Sequence, residues 1–129
     1  AGVYPSIYKS VISMMGVWDW TDLGNELAEE EKLPVWYKRF APVPGTELAT
    51  VLSPSTYVDR IKAPVLIIYS GQDEVVYPSQ SIRAILELSA NGNTPESLYL
   101  TEDGHFPENI SSRELIISHL IEFLSKNIN

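Results

Sequence analysis

The sequence predicts an α/β fold built on about three parallel strands. Three short apolar runs bounded by glycine, proline or polar residues have the composition of strands, and they cover residues 10–15, 65–69 and 97–100. Helical patterns separate and follow these runs. Strands that alternate with helices form parallel sheets through right-handed crossovers, so we expect the helices to flank one small sheet.

The composition is that of one small acidic domain. The chain has 129 residues, of which 17 are acidic and 9 are basic, and its net charge is −8. Nucleic-acid binding requires a basic surface and anionic membranes repel an acidic one, so we expect neither as a partner. The chain has no cysteine and only two histidines, so we expect no metal site and no cofactor. The cytoplasm is the favoured compartment, although the composition also fits the periplasm.

The first predicted strand begins at Ser10, ends at Met15 and precedes Gly16. A helical excursion at about residues 18–50 leads from this strand to the second one. The excursion interrupts the regular alternation of strand and helix, so we expect it to lie beside the sheet as a group of short helices.

The excursion contains an amphipathic helix. Leu23, Leu27 and Leu33 fall on one face. Thr21 or Asp22 is placed to cap its start, because a short polar oxygen satisfies the free N–H groups of a first turn. We expect the charged face to be solvated; it carries Glu26, Glu29, Glu30, Glu31 and Lys32.

The second strand has five consecutive β-formers at residues 65–69, which indicates burial on both faces. A short helix at about residues 53–61 precedes it. The helix that follows covers residues 79–90 and ends at Asn91-Gly92, both of which tolerate the left-handed conformation. The inner-face residues of this helix are predicted to be Ile82, Ile85, Leu86 and Ser89.

The third strand, residues 97–100, leads to a final helix. Ser111 and Glu114 have the spacing of a capping box at its start. The helix is predicted to bury Ile117, Leu120, Ile121 and Leu124.

Two chemically useful side chains follow neighbouring strands. Asp73 comes shortly after the second strand and His105 shortly after the third. Ligands of open parallel sheets bind at the carboxyl ends of the strands, and adjacent strands are about 5 Å apart, so we expect these side chains to meet. A carboxylate that orients an imidazole makes it a general base for a nucleophile. The plain alternatives are a turn aspartate and a loop histidine held by backbone groups.

Other titratable residues have simpler interpretations. Asp19 follows the first strand, another strand end at which a catalytic acid could lie, and it is expected to cap a helix or to lie in a loop. His119 is expected on the surface of the last helix or half-buried in it. Glu102 and Asp103 are expected to be solvated loop charges, either of which could tune the pKa of His105.

Aromatic residues are concentrated in the excursion. They either line a substrate pocket above the strand ends or pack the excursion onto the sheet, and the sequence favours neither. The candidates for substrate binding are Trp18, Trp20, Trp36 and Tyr37.

Four segments resemble prolyl oligopeptidase-type α/β-hydrolases. Residues 53–69, SPSTYVDRIKAPVLIIY, are similar to the approach to the seventh strand, and residues 70–81, SGQDEVVYPSQS, resemble the acid loop. Residues 8–12 and 16–20 look like strand six and its exit. The resemblance implies that residues 1–129 are the C-terminal portion of an α/β-hydrolase catalytic domain with strands six, seven and eight.

The resemblance also implies that Asp73 is the acid and His105 the base of a catalytic triad. The nucleophile motif of the family, G-x-S-x-G, does not occur, so we expect the serine upstream of Ala1 and no activity from this chain alone. Strand six would pair on its outer side, so we expect the strand from Ser10 to Met15 to pair with the missing N-terminal half or a second copy.

The sequence therefore predicts the acid-and-base half of a serine hydrolase that cleaves a peptide or an ester. The alternative is a non-catalytic α/β binding or pseudo-enzyme module on the same scaffold. A flavodoxin-like nucleotide binder is disfavoured, because the loops after the strands lack a glycine-rich phosphate site.

Overall fold

The computed structural model describes residues 1–29 and 33–128. Three parallel strands are flanked by helices, which confirms the predicted α/β class. The predicted solvated residues Glu30, Glu31 and Lys32 lie outside the described residues. The elements are, in order, β1 (Val11–Met14), α1 (Trp20–Glu29), α2 (Val35–Phe40), α3 (Glu47–Leu52), a 3-10 helix (Pro54–Arg60), β2 (Val65–Ser70), α4 (Pro78–Ala90), β3 (Glu96–Leu100) and α5 (Ile110–Asn127).

The sheet has the strand order β1-β2-β3 and is parallel throughout. Val11 pairs with Val65, and Leu66 pairs with Glu96. The central strand β2 is buried on both faces, as its continuous apolar run predicts. β1 is two residues shorter than predicted and forms one edge of the sheet, where Ile12 and Met14 are exposed. The partner expected at this edge stays a prediction.

The two faces of the sheet have separate cores. One core packs against α5 and the other against α4 and the 3-10 helix. The first contains Met15, Leu66, Ile68, Leu100, Ile116 and Phe123. The second contains Trp18, Ile61, Val65, Ile67, Ala84 and Leu88.

A third cluster belongs to the excursion. Leu23 and Leu27 of α1 and Tyr37 of α2 pack together with Val76, which lies in the loop after β2. The excursion is therefore joined to the segment that carries Asp73, and it lies beside the carboxyl ends of the strands.

The buried face of α4 is only partly as predicted: Ile85 packs against the core, but two other predicted residues do not. Ile82 is 47% exposed and Leu86 is 65% exposed, whereas Ala84 and Leu88 are buried. The buried stripe of the helix runs through Ser81, Ala84 and Leu88, so Ile82 and Leu86 turn outward. Apolar residues on two sides of the helix left its orientation ambiguous.

The buried face of α5 is also only partly as predicted. Leu120 and Leu124 pack against the core as expected, but Ile117 and Ile121 are exposed. The fully buried positions are Ile116 and Phe123. The helix faces the sheet through a stripe rotated from the predicted one.

Helix starts differ from the predicted caps. The Oδ1 atom of Asp19 accepts hydrogen bonds from the backbone N–H groups of Thr21 and Asp22, at 2.9 and 3.1 Å. Asp19 therefore caps α1, as expected for that residue, and neither Thr21 nor Asp22 does. The capping box at Ser111 is wrong as well, because α5 begins at Ile110.

Candidate active site

Asp73 and His105 meet at the carboxyl ends of β2 and β3. The Oδ2 atom of Asp73 lies 2.9 Å from the Nδ1 atom of His105, although the residues are 32 positions apart. The Asp73 side chain is 2% exposed and the His105 side chain 21%. The predicted contact is therefore present, and the imidazole keeps a path to solvent and to a reactant.

Both oxygens of Asp73 have defined partners. Oδ1 accepts hydrogen bonds from the backbone N–H groups of Val75 and Val76, each at 2.9 Å. Hydrogen bonds of this kind are typical of an aspartate in a turn. The turn aspartate that the sequence offered as an alternative is therefore present at Oδ1. Oδ2 faces His105. The turn thus orients the carboxylate toward the imidazole.

The loop of the predicted acid Asp73 (residues 71–77, the acid loop) and the loop of the predicted base His105 (residues 101–109, the base loop) are hydrogen-bonded to each other. The Gln72 N–H donates to the carbonyl of Asp103 at 3.1 Å. The Ser70 hydroxyl donates to the carbonyl of Gly104 at 2.7 Å. These bonds join residues within three positions of Asp73 and His105, so they fix the spacing of the two loops.

Sequence reasoning missed the role of Ser70. It is fully buried at the end of β2. A polar residue that ends a run of apolar strand residues is the signal that could have indicated a partner, because a buried hydroxyl needs one.

Asp103 is not the solvated charge that the sequence predicted. Its side chain is buried, whereas Glu102 beside it is exposed as expected. Oδ2 of Asp103 accepts from the Ser112 hydroxyl at 2.5 Å, and Oδ1 accepts from the Asn109 amide at 3.1 Å. Both partners belong to the start of α5, which a local sequence pattern cannot place against the loop.

The surroundings of the imidazole include an exposed aromatic ring. Phe106 contacts His105 edge to face, with ring centroids 4.8 Å apart and an interplanar angle of 84°. The second histidine, His119, lies elsewhere on α5, with Nδ1 2.9 Å from the carbonyl oxygen of Leu115. It takes no part in the contact between Asp73 and His105.

The four aromatic candidates for substrate binding all have packing contacts. Trp18 is buried against the sheet, and its Nε1–H donates to Glu87 at 2.8 Å. Trp20 and Trp36 contact Tyr37, with ring centroids 6.2 and 5.5 Å apart. Packing explains these positions, and contact of the four side chains with a substrate stays a prediction.

Among residues 1–29 and 33–128, no cluster of three or more His, Asp or Glu side chains could hold a metal ion. No helix in the same residues has both the length and the apolar character needed to cross a bilayer. An apolar cavity of about 440 Å³ lies between β1, α4 and the 3-10 helix. Asp73 and His105 do not line this cavity.

Comparison of the whole sequence with known families identifies its relatives. Residues 1–129 match the profile described as "Prolyl oligopeptidase family". The chain belongs to the prolyl oligopeptidase family. Its scaffold is that of a serine hydrolase, as the resemblance in the sequence implies. No curated protein sequence matches the chain.

Solved structures share the fold with this member of the prolyl oligopeptidase family. Acylaminoacyl peptidase of Pyrococcus horikoshii matches with a TM-score of 0.82 and 21% identity over 98% of this chain and 21% of its own. Dipeptidyl peptidase 4 of Porphyromonas gingivalis matches with a TM-score of 0.74 and 14% identity, over 95% and 16%. Est1E from Butyrivibrio proteoclasticus matches with a TM-score of 0.68 and 18% identity over 99% of this chain and 55% of its own. The chain thus spans only 21% and 16% of the lengths of the two peptidases.

Proposed function

We propose that this chain supplies the acid and the base of a Ser-His-Asp triad that cleaves peptide or ester bonds. The 2.9 Å contact between Asp73 and His105 carries the proposal. Membership of the prolyl oligopeptidase family supports it. The nucleophilic serine and its oxyanion hole belong to the segment upstream of Ala1, because these residues contain no G-x-S-x-G motif.

The proposed reaction is acyl transfer in two halves. Nδ1 of His105 is bonded to Asp73, so Nε2 accepts the serine proton as the serine oxygen attacks the carbonyl carbon. The imidazolium then gives that proton to the leaving amine or alcohol as its bond to carbon breaks. A water molecule next attacks the acyl-enzyme, with His105 again moving the proton, and the free acid and the serine hydroxyl are released.

Asp73 has the placement that this role requires. Its two turn hydrogen bonds prevent the carboxylate from rotating away, and burial removes competing water from the ion pair that forms with the imidazolium. The carboxylate also selects the tautomer with the proton on Nδ1.

The test uses the complete gene product and a fluorophosphonate probe. We expect labelling of a serine upstream of Ala1 and ester or peptide hydrolysis. Asp73→Asn should lower kcat by about 10⁴-fold, since the wrong tautomer forms. His105→Ala should show no labelling within the time that labels the wild-type protein completely.

His119→Ala is the matched control, because it removes the other imidazole of the chain and should leave labelling unchanged. Equal labelling of the wild type and His105→Ala would refute the proposal. A folded gene product that takes up no probe would favour the non-catalytic module.

A further inference from the structure

We propose that Asp103 is a positioning residue that holds His105 in place against Asp73. The inference rests on the proposed function of His105 as the base. The Asp103 carboxylate lies two residues before His105, and it ties the base loop to the first turn of α5. It acts through the loop and does not itself contact the reacting atoms.

The first observation is the burial of a carboxylate among neutral partners. Asp103 is 4% exposed, and its described side-chain partners are the hydroxyl of Ser112 and the amide of Asn109. Removing a charge from water is costly unless hydrogen bonds replace the lost hydration. A neutral residue of similar size would avoid this cost, so we infer that the two strong, directional acceptor oxygens serve to fix the loop.

The second observation is that the opposite side of the same loop is also fixed. The carbonyl of Asp103 accepts from the N–H of Gln72, and the carbonyl of Gly104 accepts from the hydroxyl of Ser70. Residues 103–104 are thus held between the acid loop on one side and α5 on the other. His105 is the next residue, so its ring position follows from both sets of bonds.

The third observation is that α5 is a firm support. The helix has 18 residues, and Ile116 and Phe123 anchor it in the core beneath the sheet. Ser112 lies one turn before Ile116. A displacement of the base loop would therefore have to break hydrogen bonds to a helix that is itself packed in place.

The experiment measures kcat and KM of variants of the complete gene product with an ester substrate. Misplacement of a reacting group by about 1 Å can cost about 10²-fold in rate, so we expect Asp103→Ala to lower kcat by about 10 to 10². KM should stay within about twofold, because Asp103 does not face the substrate. Ser112→Ala should give a smaller loss of the same kind, since it removes one of the two bonds.

Asp103→Asn is the conservative variant. Its amide oxygen can still accept from Ser112, so we expect it to recover part of the kcat that Asp103→Ala loses. Glu114→Ala is the control, because it removes an exposed carboxylate of α5, the helix to which Asp103 is bonded, and should leave both kinetic constants unchanged.

The outcomes separate this inference from the proposed function. If His105→Ala abolishes activity while Asp103→Ala keeps kcat within about twofold of the wild type, His105 is the base and the positioning role is wrong. If His105→Ala remains active, the proposed function itself fails. Should Asp103→Ala not fold, Asp103→Asn and Ser112→Ala decide: lowered kcat at unchanged melting temperature supports the role, and unchanged kcat overturns it.

Discussion

Tyr37 shows what one buried hydroxyl does in the excursion. Its ring lies in the cluster with Leu23, Leu27 and Val76, and its hydroxyl donates to the carbonyl of Trp20 at 2.9 Å. Burial raises the pKa of Tyr37 above the usual value of about 10. The folded state therefore favours the neutral hydroxyl, which donates the hydrogen bond to Trp20.

Tyr37→Phe should lower the free energy of unfolding by about 1 kcal/mol at neutral pH, because the Trp20 carbonyl loses its donor. The difference in free energy of unfolding between wild type and variant should narrow above about pH 10. The unfolded wild-type chain releases the Tyr37 proton at a lower pH than the folded chain does. Urea unfolding from pH 7 to 11 measures this. A gap that widens with pH would contradict the assignment.

For single residues, the sequence predicted those contacts that follow from the order of the strands. Asp73 and His105 could be paired because both follow parallel neighbouring strands, and Asp19 could be assigned as a cap from its place before a helix. Asp103 could not be assigned correctly. Its burial depends on Ser112 and on how α5 lies across the loop, which no pattern near Asp103 reports. Its role in positioning therefore emerged only from three-dimensional contacts.

At the scale of elements, Gln80 links α4 to the exit of β1. Its side chain is almost fully buried, and Oε1 accepts from the N–H groups of Trp18 and Asp19, at 3.1 and 2.9 Å. Nε2 donates to Glu26 of α1 at 3.3 Å. One side chain thus joins a strand exit and two helices.

Gln80→Leu should destabilise the fold by about 1–3 kcal/mol, because it leaves two backbone N–H groups near the core without their acceptor. Gln72→Leu is the matched control, since that side chain is exposed. Thermal unfolding followed by circular dichroism compares the two. Equal melting temperatures for both variants would contradict the role of Gln80.

The existence and order of the elements followed from the sequence, but the orientation of the helices did not. Strand β2 was predictable because its apolar run is buried from Val65 to Ile68 and partly buried at Tyr69. In α4 the buried residues include Gln80, Ser81 and Ala84 as well as Leu88, whereas Ile82 and Leu86 point outward. A ranking by hydrophobicity passes over the polar and small residues of this stripe, so it selects the wrong face.

At the scale of the whole molecule, β1 is an edge strand at which a further strand could pair. Val11 and Met15 donate their N–H groups to the carbonyls of Pro64 and Ile68, each at 2.9 Å. Successive residues of a strand alternate in direction, so the N–H groups of Ile12 and Met14 point away from β2. An unpaired edge of this kind is a template for another strand.

Amide hydrogen exchange in the complete gene product tests this pairing. We expect slow exchange at Ile12 and Met14, because a further strand or a second copy should accept their N–H groups. Val11 is the internal control, since β2 already protects it. Exchange at Ile12 and Met14 as fast as in loop residues would contradict the prediction.

The contacts between the acid and base loops also have a genetic consequence. Asp73, His105 and the hydroxyl groups of Ser70 and Ser112 that hydrogen-bond to the base loop all fall within residues 70–112. Recombination with a breakpoint before Ser70 would therefore transmit these hydrogen-bonding residues together to a descendant with a different N-terminal part. Artificial chimaeras joined there should inherit them in the same way.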